Sequence, residues 1–176
     1  MSKQFSTGSL KEFLASAECD VFRLEQLPEY DSSNERRALM QFKATGEVVL
    51  PDGYMEYCQR VATDVSSGKR HRRLRVVPDT PSDYVTFELG VFTALQEAGA
   101  EIRILSESEY LSALGLSGRV DYYLLDQARL IVMNYDSDGR FIDATENPGA
   151  AKRFANLTAA LWRRARPLTS DRLAKI

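Results

Sequence analysis

The amino-acid sequence predicts an α/β domain: a mixed sheet with a parallel β-α-β pair and an antiparallel meander, covered by helices, with an N-terminal helical elaboration. Two observations carry that expectation. Arg70 to Leu105 reads as strand, helix, strand, and a crossover of that length joins parallel neighbours with right-handed sense. Downstream, the apolar runs Val120–Leu125 and Leu130–Tyr135 are separated only by Asp126-Gln127-Ala128-Arg129, and Asp136-Ser137-Asp138-Gly139 leads on to Phe141-Ile142. Short apolar runs joined by turn residues make a hairpin extended into a meander.

In chain order, Ser9 and Glu12 have the spacing of a capping box for a helix over 9–17, with Leu10, Phe13 and Leu14 as its apolar face. Val21, Phe22 and Leu24 read as a short strand and Pro28-Glu29-Tyr30-Asp31 as a turn. Ser32 and Glu35 suggest a second capping box, for a helix that Gly46 ends. Asp52 is placed to cap a third helix, from about Tyr54 to Val65, which Ser66-Ser67-Gly68 stops. Ser82 caps the helix of the central unit, with Asp83 in its first turn, and Ala98-Gly99 ends it. Ser106 caps a short helix to Leu114, with Gly115 as its stop. After Asn147-Pro148-Gly149, residues 150–166 form a final amphipathic helix, and the tail to Ile176 reads as loosely held. Residues 1–176 are expected to make a single domain, with its core over about 19–166, an N-terminal helix in 1–18 and the tail in 167–176.

Composition narrows the function classes. The net charge of −2 offers no general attraction to nucleic acid. The charge is uneven, however. Residues 60–77 carry six Lys/Arg against one acid, residues 150–176 seven against one, and residues 106–146 eight acids against three Arg. Two cysteines, Cys19 and Cys58, make no disulfide framework. The N-terminus lacks an apolar signal core and no run is long enough to span a bilayer, so a cytoplasmic protein without a membrane partner is expected.

The polar anomaly lies in the central helix. Tyr84, Phe87, Val91, Leu95 and Ala98 form one apolar stripe, and Glu88 falls inside it. A carboxylate is costly to bury unless paired, and the nearest partners in sequence are Arg73 and Arg75, which share one face of the preceding strand. Either the group is a structural ion pair, or Arg73, Arg75, Asp83, Tyr84 and Glu88 wall a ligand or partner site above the sheet. The basic run from Lys69 to Arg75 suits phosphate binding and equally a strand protected against edge pairing.

Catalytic and cofactor motifs are not found. His71 is the single histidine, which excludes multi-histidine metal sites and weakens any Ser-His-Asp arrangement. There is no nucleophile elbow, phosphate loop or dinucleotide fingerprint, so no catalytic residue, metal ligand or cofactor is assigned. Asn134 to Gly139 begins like a calcium loop, but the bidentate twelfth position would be Thr145, so a hairpin turn is expected.

The segments R-R-L-R-V-V-P (72–78), S-D-Y-V-T-F-E-L (82–89), E-I-R-I-L (101–105), Y-Y-L-L-D (122–126) and I-V-M-N-Y-D-S-D-G-R-F (131–141) together resemble an uncharacterised actinobacterial domain family. That family is often encoded beside, or joined to, helix-turn-helix regulators. The resemblance runs from about Phe22 to Trp162 and implies a cytosolic accessory protein attached to a transcriptional switch, with no catalytic residues to transfer. More distantly, the pattern resembles half of the phospholipase-D-like fold. Aligning its aspartate with Asp126 puts Asp121 at the lysine and Arg119 at the histidine, so the covalent nucleophile is missing.

Three functions follow as expectations. The first is a non-enzymatic binding or regulatory module acting with a helix-turn-helix regulator or other protein partner. The second is a sensor for an anionic small molecule or nucleotide. The third is a metal-dependent nuclease or toxin using Asp121, Asp126 and Asp136, for which direct contact with nucleic acid would be needed.

Overall fold

The computed structural model describes residues 3–114 and 120–169. Along the chain these form β1 (Gln4–Phe5), α1 (Thr7–Ala15), β2 (Asp20–Glu25), α2 (Arg36–Thr45), α3 (Tyr54–Ser66), β3 (Arg70–Val77), α4 (Asp83–Glu97), β4 (Glu101–Ser106) and α5 (Glu107–Leu114). They continue with β5 (Asp121–Leu125), β6 (Arg129–Tyr135), β7 (Phe141–Glu146), a 3-10 turn (Pro148–Ala150), α6 (Ala151–Arg164) and β8 (Arg166–Pro167). All the strands join one mixed sheet in the order β1-β7-β6-β5-β2-β3-β4-β8. The α/β class, the parallel β3–β4 pair and the β5–β6–β7 meander are as the sequence predicts.

The strand at the middle is longer than its apolar residues announce. β2 is parallel to β3 on one side and antiparallel to β5 on the other, and all six of its residues are buried. Its charged residues Asp20, Arg23 and Glu25 conceal this, because isolated charges ordinarily mark a strand's exposed face. Here the strand alternates between two covered faces. Phe22 and Leu24 join Leu74, Val76, Tyr122, Leu124 and Leu130 in an apolar layer, packed under Tyr110 of α5 and Phe154 and Leu161 of α6. Within it the Tyr122 hydroxyl meets Thr158 Oγ1 at 2.7 Å, so neither buried polar group is left unpaired. At the entrance to the same face, Arg72 forks onto Asp20 through Nε at 2.9 Å and Nη2 at 2.5 Å.

The opposite face carries Arg23, Glu25, Arg73 and Arg75, as strand alternation requires. It is covered by α4 and α3, and α2 packs on α4. Tyr84, Val85, Phe87, Glu88, Leu89, Val91, Phe92 and Leu95 of α4 are all buried, because that helix is enclosed on several sides rather than along one stripe. Ser82 caps it as expected, its Oγ accepting the Val85 N–H at 3.4 Å.

Several local expectations are corrected. The first helix starts at Thr7: Ser6 is its cap and exchanges hydrogen bonds with Ser9, so Ser9 is the third helical residue and Glu12 has no capping role. Ser32 and Glu35 do not form a side-chain cap, since Glu35 itself is the cap residue and its carboxylate turns to Tyr84. Gly53, with φ of 75°, occupies the cap position given to Asp52, whose carboxylate pairs with Arg37 instead. The chain after α6 is held rather than loose. Arg166 and Pro167 pair with β4, the Leu168 N–H donates to Ile102 O at 3.0 Å, and the Leu168 side chain is buried. The stop at Gly115, Arg119 and the tail beyond 169 lie outside the described residues.

Candidate functional site

Three arginines in adjacent strands set the chemistry of the charged face. Arg23 and Arg75 are among the buried residues at 4% and 0% exposure, and a charge in that position is tolerated only with partners at hydrogen-bonding range. Arg75 Nε donates to Glu88 Oε2 at 2.6 Å and its Nη1 to the Val76 carbonyl at 3.1 Å. Arg73 Nη1 reaches both Glu25 oxygens, at 3.2 and 2.9 Å, while the guanidinium lies 4.7 Å from the centre of the Phe92 ring. Arg23 contacts Asp121 at 3.3 Å and Glu25 at 3.4 Å, and donates to the Tyr135 hydroxyl at 2.8 Å. The Asp121 carboxylate also accepts from the Tyr30 hydroxyl and, at 3.1 Å, from the Gln26 N–H.

Burial and charge pull the acids apart. Burial pushes Glu88 up to about 7 against the attraction of Arg75, helped by the negative neighbours Glu25 and Glu35. Glu25 is equally deprived of water, yet Arg73, Arg23 and Arg75 together hold it below the ordinary carboxylate range. Burial raises Asp121 despite Arg23, and raises Glu35 despite the hydrogen bond from Tyr84. The Tyr135 hydroxyl is raised to about 12, again by burial first.

The network borders a cleft of about 570 Å³, within the range that holds small-molecule ligands. Arg23, Glu25, Arg73 and Tyr123 belong to the sheet side of its wall, and Tyr84 and Glu88 reach it from α4. The segment from Tyr30 to Arg36 and the β6–β7 turn close one end. That closure depends on Gly139, whose carbonyl accepts the Asp31 N–H at 3.1 Å. Its φ is +80°, and a Cβ there would stand 2.7 Å from the Glu29 carbonyl oxygen. Across the junction Arg36 and Arg140 both bind Asp31.

Of the five residues the sequence singles out, Arg73, Tyr84 and Glu88 line this cleft. Arg75 lies behind them as the ion-pair partner of Glu88, so the structural pairing the sequence allows is present and a cleft lies beside it. Asp83 is exposed on the first turn of α4 and is not part of the wall. Sequence reasoning missed Arg23, Glu25, Tyr30, Glu35 and Tyr135. The one available signal was Arg23 and Glu25 alternating with Phe22 and Leu24, charges on the second face of a strand whose first face is apolar beyond Asp20.

The three aspartates considered for a metal do not converge. Asp126 accepts the Glu18, Cys19 and Asp20 N–H groups and Arg129. Asp121 stands at the far end of β5 in the arginine network, and Asp136 binds the backbone of its own turn. Among the described residues no three His, Cys, Asp or Glu side chains are grouped to hold a metal ion. The described residues also contain no helix long and apolar enough to cross a membrane.

The fold and cleft define a mixed α/β domain with a buried ionic network on one face of its sheet. By sequence the chain belongs to the family described as Domain of unknown function (DUF6879), whose model matches residues 8–170. No curated protein matches it.

Proposed function

We propose that the protein is a non-catalytic binding module and that the cleft over Arg23 and Arg73 takes a small polar molecule. One observation carries this reading. The Arg23 guanidinium is buried in the cleft wall, and its Nη1 has no hydrogen-bond partner among the described residues. A buried donor costs free energy while unmatched, and an acceptor on a ligand would recover it. The tyrosines around it offer flat surface and further hydroxyls. The test is calorimetric titration of the full chain with a metabolite panel that includes nucleotides, organic acids and amino acids. Binding that is lost in Arg23→Lys, with circular dichroism unchanged, supports the assignment. A panel with no binder of any charge type removes it.

A second reading, regulation through a helix-turn-helix partner, draws on the family resemblance and on the outer face of α6. Lys152, Arg153, Arg163 and Arg164 are exposed there with no acid between them on the helix. This face suits an acidic protein surface better than the basic strand does, since Arg75 is inaccessible. Co-purification with such a regulator that survives in the native chain and fails in Arg163→Glu/Arg164→Glu would support it. Equal recovery with both chains would count against it.

A further inference from the structure

The cleft continues into a second hollow of about 640 Å³ between α1 and α3. Ser32, Asn34, Glu35, Tyr54, Arg73 and Tyr123 line both, so the two form one groove over the sheet. Its charges are balanced and largely spoken for. Glu25 is held by Arg73, Glu88 by Arg75, and Asp31 by Arg36 and Arg140. Besides the exposed Lys11, Glu12 and Arg60 of the second hollow, two groups of opposite sign close to the sheet keep capacity that this pairing does not use. The Glu35 carboxylate, at the junction of the hollows, accepts from the Tyr84 hydroxyl at 3.0 Å and is in no ion pair among the described residues. Arg23 is paired with Asp121 and Glu25, but its Nη1, buried in the wall of the first hollow, has no acceptor among the described residues. Tyr54 lines both hollows, and its hydroxyl is also buried without a partner among the described residues.

A purely anionic ligand would satisfy Arg23 and be repelled by Glu35, Glu25 and Glu88, whereas a purely cationic one would meet the reverse. We infer that the groove recognises a zwitterion of the amino-acid or short-peptide type, with its carboxylate on Arg23 and its ammonium on Glu35. The ligand's body then lies against Tyr54 and Tyr123, and a longer side chain or second residue extends toward α1 and α3. This rests on the reading of the cleft as a ligand site and sharpens it: the expected ligand carries both charges, not the negative charge alone.

The deciding experiment is calorimetry of the full chain with the common free amino acids and a set of dipeptides. Each binder is then compared with its N-acetyl form, which keeps only the acid, and its amide form, which keeps only the amine. Nucleotides and dicarboxylic acids are titrated alongside. The expected result is that a zwitterion binds and that either single-charge form is weaker by at least about tenfold, the loss of one charge-assisted hydrogen bond. Glu35→Gln should weaken the zwitterion by a similar factor and leave the anionic N-acetyl form as tight or tighter, since the repulsion from Glu35 is gone, which separates a ligand contact from general loosening of the site. If N-acetyl forms, nucleotides or dicarboxylates bind as tightly as any zwitterion, the inference is overturned while the small-molecule reading stands. If nothing binds, both fall.

Discussion

Arg75 on β3 and Glu88 on α4 meet at 2.6 Å, with side chains 0% and 7% exposed, so the sheet and its roofing helix are joined through an ion pair kept from water. Removing one partner of such a pair strands the other, at a cost of about 3–5 kcal/mol, whereas replacing both with apolar groups removes the desolvation penalty as well. Arg75→Met alone should therefore lower the urea unfolding free energy by several kcal/mol. Arg75→Met/Glu88→Leu should recover most of that loss. A double variant as unstable as the single one would mean that the contacts of Arg75 to Val76 and the surrounding network matter more than Glu88.

The same carboxyl gives the native state a pH dependence. The folded-state value for Glu88 is raised to about 7, so between the ordinary carboxylate range and pH 7 the native state keeps a proton that the unfolded chain has released. This contribution is fully present at the acidic end of that window and is lost as pH rises through it. The slope is at most about 1.4 kcal/mol per pH unit. Glu25 has the opposite sign, but its lowered value confines its effect to more acidic solution. Urea midpoints at pH 5, 6 and 7 should fall for the native chain, and Glu88→Gln should flatten that trend. An unchanged slope in the variant would assign the effect to Asp121 or Glu35.

Asp126 sits in the β5–β6 turn, where both Asp126 and Gln127 have positive φ, of 53° and 58°. Burial alone would raise its carboxyl, but the N–H groups of Cys19, Glu18 and Asp20 and the Arg129 guanidinium hold it far below its usual range. That stabilisation is present above the ordinary aspartate value and is lost as pH falls through the depressed one. Asp126→Asn should cost about 1–3 kcal/mol at neutral pH, through weakened charged hydrogen bonds. It should also soften the acid unfolding transition followed by circular dichroism.

Gly139→Ala should destabilise the protein by more than about 1 kcal/mol, because the added methyl meets both an unfavourable φ and the Glu29 carbonyl. Since that contact closes one end of the cleft, the variant should also release the 29–31 segment, visible as faster amide exchange at Asp31. Unchanged exchange there would show that Arg140 and Arg36 hold the segment through Asp31 without the turn.

What the sequence disclosed follows from how local each signal is. The helix of the central unit was readable from Ser82, the apolar spacing after it and Gly99, all within one stretch, and the hairpin from two runs about a turn apart. The groove was not, because its wall is assembled from α1, β2, α2, α3, β3, α4, β5, β6 and β7 and no local pattern joins them. Arg23 lies 98 residues from Asp121, and Glu25 lies 48 from Arg73. Glu88 was the exception: a carboxylate in an apolar stripe is anomalous within its own helix, and it pointed to Arg73 and Arg75, of which Arg75 is its partner and Arg73 pairs with Glu25. The caps failed where two residues could serve. Ser6 and Ser9 both precede an apolar face, and only the pairing of Phe5 in β1 selects Ser6.

The central position of β2 also bears on how the chain acquires its fold. Local elements such as the β5–β6 hairpin need only short loops to close, and they can assemble on the microsecond scale. β2 has no such neighbour: one flank waits for β3 and the other for β5, each across a long span of chain. Loop-closure entropy therefore sets the rate at which the sheet becomes continuous, and the chain folds slowly for its size. During synthesis β2 leaves the ribosome before β3 and β5, with Phe22 and Leu24 uncovered and both edges unpaired, until the residues of those strands follow. In that interval it is the segment most exposed to mispairing and the one a chaperone has most reason to hold.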